Sequence, residues 1–308
     1  MLKYILKRLV AGTITIFVLI TATFFLMHAI PGGPFSPAEE KKVPASVIEA
    51  VNEKYGLNDP VYVQYGRYLK GILEGDLGIS FKQQSRSVND IIERGFPVSA
   101  RVGILAALIA VPVGISIGII SAIKRGRILD YGAMAFATIG ISIPSFILTV
   151  LLMYLFCNIL KLLPTYGLTS WKHYILPVIC LAFGPISYIA RLIRSSMLEV
   201  IRYDYIRTAR AKGVSEFLVI MKHALKNACI PVVTYLGPMI AGLLTGSFII
   251  ERLFAIPGMG RDFVTSISDR DYSVILGMTI FFGAFVILAN IVVDILYCII
   301  DPRISMEG

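Results

Sequence analysis

Residues 102–123 read VGILAALIAVPVGISIGIISAI, 22 positions without a charged side chain. A helix rises 1.5 Å per residue, so this run is about 33 Å long, enough to cross a hydrocarbon core about 30 Å thick. Five more uncharged stretches of at least 18 residues begin at Leu9, Tyr131, His173, Asn227 and Tyr272. Irregular backbone facing lipid would leave amide groups without partners, so each stretch reads as a helix. The expected fold is therefore an all-α integral membrane protein with six transmembrane helices. Composition agrees: of 308 residues, 56% are hydrophobic and 16% charged, against about 25% charged in soluble domains.

The first stretch follows Lys3, Lys7 and Arg8 and stays apolar to about Met27, with no A-x-A site after it. It is longer than a secretory signal core and reads as an uncleaved anchor. The net charge of +9 raises the question of nucleic acid, which the placement of the charge answers. Basic residues gather in alternate loops: Lys3, Lys7 and Arg8; then Lys124, Arg125 and Arg127; then eight between Arg191 and Lys226. That is the positive-inside pattern, and it puts both termini in the cytoplasm. Cys157, Cys180, Cys229 and Cys298 lie in or beside apolar stretches without C-x-x-C spacing and read as buried filler.

The expected organisation is an N-terminal anchor helix over 1–30, an external helical segment over 31–95, a five-helix core over 96–302 and a short cytoplasmic tail over 303–308. Within the external segment, Pro44 to Gly56 and about Asp59 to Leu73 each carry an apolar face, and Ser87 with Asp90 resembles a capping box opening a third helix. Pro144 lies inside the third stretch and predicts a kink there. Gly103, Gly114, Gly118, Gly132, Gly140, Gly242, Gly246, Gly277 and Gly283 read as small surfaces for helix contact.

The most informative segment runs from Arg191 to Lys226, longer than a simple helix connection. Within it YDYIRTARAKGVSEF (203–217) predicts a short helix capped by Asp204 and stopped at Gly213, with a new start at Ser215. Ala209 and Ala211 leave room for a partner, and Arg207, Arg210 and Lys212 supply charge. A solvated loop gains nothing from Tyr203, Tyr205, Ile206, Val214 and Phe217, whereas a docking surface does.

The stretch ARAKGVSEFLVIMKHALKNACIPV (209–232) resembles the coupling loop of bacterial ABC importer permeases, in the form found in peptide permeases. The general family motif starts Glu-Ala-Ala with a glycine four positions on; here Arg207, Thr208, Ala209 and Gly213 occupy those positions, so the Glu and first Ala are replaced. Further resemblance lies in LNDPVYVQYGRYL (57–69), GDLGISF (75–81), FPVSA (96–100), GSFIIERLFAIPGMG (246–260), SDRDY (268–272) and DPRI (301–304), nearly the whole chain. It is similar to the B-type permease subunit of oligopeptide or dipeptide importers.

That resemblance implies the type I ABC importer permease fold in a bacterial inner membrane. It also implies partners: a second homologous permease subunit, two cytoplasmic ABC ATPases and an external peptide-binding protein. The ATPases would use ATP and magnesium; this chain contains no Gly-Lys pair and hence no phosphate-binding P-loop, and no cofactor or enzymatic activity is expected of it. Tyr205, Arg207, Thr208, Ala209, Arg210, Ala211, Lys212, Gly213, Val214 and Phe217 are the expected ATPase-coupling residues. Glu251, Pro257, Gly258 and Gly260, in a stretch expected to turn into a short helix, form a candidate outer gate or binding-protein contact.

Other candidates carry less. Asp294, near the end of the last span, reads as an interfacial or packing carboxylate. His28, His173 and His223 have no metal-ligand spacing. Alternatives are a nickel or other metal-ion ABC permease, a self-sufficient secondary transporter and an inert membrane scaffold. The scarcity of acidic residues or histidines deep in the spans weighs against the secondary transporter.

Overall fold

Proline lacks the amide proton a helix needs and pushes the residue before it out of the helical region. In the computed structural model this happens at Ile143 (φ −80°, ψ 124°) and Pro144 (φ −56°, ψ 136°), and the helices on either side diverge by 107°. The kink expected at Pro144 is thus a full break. The structure describes residues 2–29, 56, 58–83 and 86–300, with side chains for 6–29, 56, 58–83 and 86–292. The expected helix from Pro44, the side chains of Asp294 and Cys298, and the DPRI end lie outside these residues.

The chain order is α1 (Leu2–Ala29), α2 (Val61–Leu73), α3 (Val88–Ile123), α4 (Ile128–Ser142), α5 (Ser145–Met153) with a π turn (Tyr154–Ile159), α6 (Lys172–Val200), α7 (Asp204–Ala211), α8 (Glu216–Leu218), a second π turn (Val219–Ala224), α9 (Leu225–Ala228), α10 (Ile230–Leu244), α11 (Phe248–Leu253), α12 (Met259–Asp269) and α13 (Tyr272–Ile300). Leu6–Ala29, Val88–Ile123, Lys172–Val200, Ile230–Leu253 and Tyr272–Val292 are long and apolar enough to cross a membrane. The α4–α5 pair, read as one broken span, makes the sixth.

Two compact units emerge. One comprises Leu2–Val98 and Pro257–Leu288. Here the capping box is realised: the Asp90 amide donates to Ser87 Oγ (3.0 Å) and the Ser87 amide to Asp90 Oδ2 (3.2 Å), which starts α3 at Val88. Pro60, rather than Asp59, stands at the head of α2. Tyr65 pairs with Thr21 (2.6 Å) and Gln64 with His28 (3.2 Å), laying α2 against α1. Val88, Ile91, Met259, Val274 and Met278 form a buried cluster beneath Phe96, Phe263 and Phe281. Asp271, buried, accepts from Ser80 Oγ and from the Phe81 amide (3.1 Å), fixing the 78–83 turn.

The other unit, Ser99–Ile256 with Ala289–Gly308, is organised around α6. Leu176, Cys180, Ile189, Ile193 and Met197 line its buried side, although Pro177 and Pro185 interrupt its hydrogen bonding. Lipid tails are as apolar as leucine, so helices in a membrane associate through close fit rather than through escape from water. Glycines supply the fit where α3 passes α6: a Cβ at Gly114 would press on Ile189 and one at Gly118 on Ile193. A Cβ at Gly103 would strike the Leu243 carbonyl of α10, and one at Gly140 the Ser187 hydroxyl. Gly132 and Gly242 differ from that expectation, since nothing lies within 4 Å of an added Cβ at either.

Candidate coupling segment and polar face

The spanning helix α6 continues to Val200, so the segment expected to start at Arg191 leaves it only at Ile201. Tyr203, extended at φ −69°, ψ 148°, precedes α7, and Asp204 is the first helical residue rather than the cap. Its carboxylate caps nothing and pairs loosely with Arg207 (3.6 Å), where a negative charge still suits the positive end of the helix dipole.

At Gly213 the chain reverses. Its φ is +76°, its amide donates to Arg210 O (3.0 Å), and the Val214 amide reaches back to Ala209 O (3.3 Å). Carbonyls at the end of α7 are thereby satisfied, at a position where only glycine avoids steric cost. Ser215 then heads α8 as expected. A fork joins the two helices: Arg210 donates through Nε to Glu216 Oε2 (3.0 Å) and through Nη2 to Oε1 (2.6 Å). Asn227 Nδ2 donates to the Tyr205 hydroxyl (2.6 Å), tying α7 to the residues after the π turn.

The residues expected to dock divide into two sets. Ile206 and Ala209 turn inward and pack in a cluster with Val219, Ile220 and Ala224, and Val214 is half-buried against it. Ala209 therefore makes room for its own chain rather than for a partner. Burying Ile206 outside the bilayer stabilises the knob by about 1.5–3 kcal/mol. Tyr205, Arg207, Thr208, Arg210, Ala211, Lys212, Gly213 and Phe217 stay exposed, as does Tyr203, and they are joined by Leu218 and Met221, which the sequence pattern did not single out. Phe217 is 71% exposed, an apolar ring held out beside cationic side chains.

Arg210 holds the Glu216 carboxyl below its usual 4.5. A folded value below the unfolded one means stability present above the unfolded value and lost as the pH falls through the folded one. Both groups are partly solvated, so the effect is local and small. Protection of amides 210–218 from hydrogen exchange, taken relative to the intrinsic rate, should be constant at neutral pH and fall below about pH 4.5; Glu216→Gln should remove the inflection. A featureless profile in the parent protein would show that the fork does not hold the two helices together.

A second feature lies within the spans. The exposed side of α1 carries Leu9, Val10, Ile14, Phe17 and Val18, and that of α3 carries Ile104, Leu105, Leu108 and Val113, as lipid requires. On α6 the exposed line after Ile179 instead runs through Tyr188, Arg191 and Ser195, with half-buried Gly184 before them, and on α10 it runs through Thr234, Pro238 and Gly242. The Tyr188 and Tyr235 rings meet at 4.3 Å, 40° apart, where these lines approach. Polar groups of this kind are costly against lipid, so this face meets water or protein.

The candidate gate residues fall in different surroundings. Glu251 is buried in α11 and accepts from Ser99 Oγ (2.7 Å); Gly246 (φ +84°) has no room for a Cβ beside that carboxylate. In the other unit Pro257 is exposed, while Gly258 and Gly260 are buried at the start of α12. The expected turn leading into a short helix is present, with Gly258 heading α12; α11, which ends at Leu253, precedes that turn.

Residues 114–306 match the family described as the binding-protein-dependent transport system inner membrane component, and residues 1–103 match its N-terminal region. The chain belongs to this family. Among relatives of this inner membrane component, the dipeptide transport system permease protein DppB of Bacillus subtilis is 51% identical over 307 residues, 100% of this chain and 99% of the relative. The oligopeptide transport system permease protein OppB of Salmonella typhimurium is 45% identical, over 99% of each chain. Among solved structures, an inward-facing form of the MetNI methionine ABC transporter matches with a TM-score of 0.58 at 20% identity, over 68% of this chain and 96% of that one. This likeness establishes the type I importer permease fold for a multi-pass inner membrane protein.

Proposed function

We propose that this inner membrane component is the permease subunit of an ATP-driven peptide importer, performing no covalent chemistry itself. Its full-length likeness to dipeptide and oligopeptide permeases carries the reading. A second, homologous permease completes the pathway, an external binding protein delivers the peptide, and two ATPases use ATP and magnesium on the cytoplasmic side, where both termini lie. The exposed residues from Tyr203 to Met221 are the ATPase docking surface: an apolar ring and cationic rim suit a groove with acidic edges. Closure of the ATPases pushes the knob as a rigid body, because the Arg210–Glu216 fork and the buried Ile206 fasten it internally. The face bearing Tyr188, Thr234, Tyr235 and Gly242 lines the water-filled path. On the outer side, Pro257 contacts the binding protein, Glu251 braces the end of the span, and Gly258 and Gly260 allow the chain to turn there.

Two measurements test this reading. The complex, reconstituted with binding protein and ATPases, should take up peptide only with ATP; uptake by this chain alone would overturn it. In a background lacking the four native cysteines, Thr234→Cys and Gly242→Cys should react with a water-soluble thiol reagent from the cytoplasmic side, at least about tenfold faster than Leu108→Cys on the lipid-type face. Equal rates at all three would remove the path from this face.

A further inference from the structure

Asp130, the third residue of α4, is 3% exposed, and both of its oxygens are engaged. Oδ1 accepts from Ser121 Oγ, near the end of α3, and from Arg194 Nε (2.7 Å). Oδ2 accepts from the Gly126 amide, in the turn between α3 and α4 (2.9 Å), and from Arg194 Nη2 (2.9 Å). One carboxylate thus fastens α3, the turn, α4 and α6 at a single point. Starting α4 would require only the contact to the turn. The fork to α6, 64 residues away in sequence, has another consequence.

A pair of this kind, with Asp130 buried and Arg194 half-buried, adds little net stability compared with apolar packing, yet it is directional. Two parallel hydrogen bonds hold the guanidinium in one plane and one register, which an apolar contact does not. Arg194 lies on the same unbroken helix as Val200, where the knob begins, and the helix between them is stiff. Asp130 lies on α4, whose far end is the 107° break at Pro144. A displacement of the knob carried along α6 therefore reaches α4 through this pair, while sliding apolar surfaces would dissipate it.

We propose that Asp130 and Arg194 are positioning residues that transmit movement of the coupling knob to the broken span, with Ser121 and the Gly126 amide holding the carboxylate in place. The proposal rests on the importer reading above. It is tested in the complete reconstituted complex with Asp130→Asn, Arg194→Lys and Ser121→Ala, which remove the charge, the fork and one hydrogen bond in turn. Complex yield, ATP hydrolysis with and without loaded binding protein, and peptide transported per ATP are measured. A coupling role lowers transport per ATP by roughly tenfold in Asp130→Asn, less in Arg194→Lys and least in Ser121→Ala, while basal hydrolysis persists. A merely structural role lowers yield and all activities in proportion, leaving that ratio unchanged, and overturns the proposal. Should Asp130→Asn not assemble, the graded ratio in the two milder variants decides, and a flat ratio in both counts against coupling. If the unsubstituted complex shows no peptide uptake, the importer reading fails instead.

Discussion

Gly213→Val in the assembled complex is expected to abolish the stimulation of ATP hydrolysis by peptide-loaded binding protein. The cause lies in the backbone. At φ +76° an L-residue brings its Cβ against the carbonyl oxygen, at a cost of about 1–2 kcal/mol, and a β-branched side chain fits that region worst. Beyond Gly213 and its two chain neighbours, no atom lies within 4 Å of an added Cβ, so collision with the rest of the protein plays no part. Relief requires a change in the turn, which moves the Arg210–Glu216 fork and Phe217 with it. Asparagine tolerates the left-handed region, so stimulation should fall in the order Asn, Ala, Val. Full stimulation in a Gly213→Val complex would remove the knob from the coupling path.

Gly103→Val is expected to act earlier, on folding itself. Its Cβ would meet the Leu243 carbonyl and the Leu244 backbone, parts of α10 that cannot rotate aside as a side chain does. The cost falls at the upper end of overpacking, about 3 kcal/mol, and the yield and thermal midpoint of the detergent-solubilised complex should drop accordingly. Gly132→Ala, where space is open, serves as the contrast and should leave both nearly unchanged. A Gly103→Val complex that melts with the parent would mean that α3 and α10 do not approach closely.

The spans were legible because lipid leaves the chain little choice: an uncharged run such as 102–123 must be helical. Local devices were legible for a different reason: their partners are near in sequence, as Ser87 and Asp90 are at three residues. Long-range placement was not. Ile206 and Phe217 are both apolar members of one motif, and only the fold decides that the first is buried and the second exposed. Asp130 gave a faint signal, an acid immediately before an apolar stretch, but its partner Arg194 is hidden among the cationic residues expected from charge asymmetry. Pro144 announced a disturbance without its size, because an angle of 107° depends on what α4 and α5 pack against. Tyr203 displaced Asp204 as cap because chain geometry after α6, rather than residue preference, sets where α7 begins.

Between Val219 and Ala224 the winding widens to a π turn before α9 and α10 follow. Such a turn absorbs about one residue more than an ordinary helical turn, and one residue corresponds to about 100° of rotation about the axis. The angular phase of everything downstream is thus set by a count of residues and not by their chemistry. Loss of any single one there, whatever its identity, would swing Tyr235 and its neighbours about a quarter revolution and present another flank of α10 to Tyr188. Length variation would therefore be tolerated far less at this point of the chain than substitution.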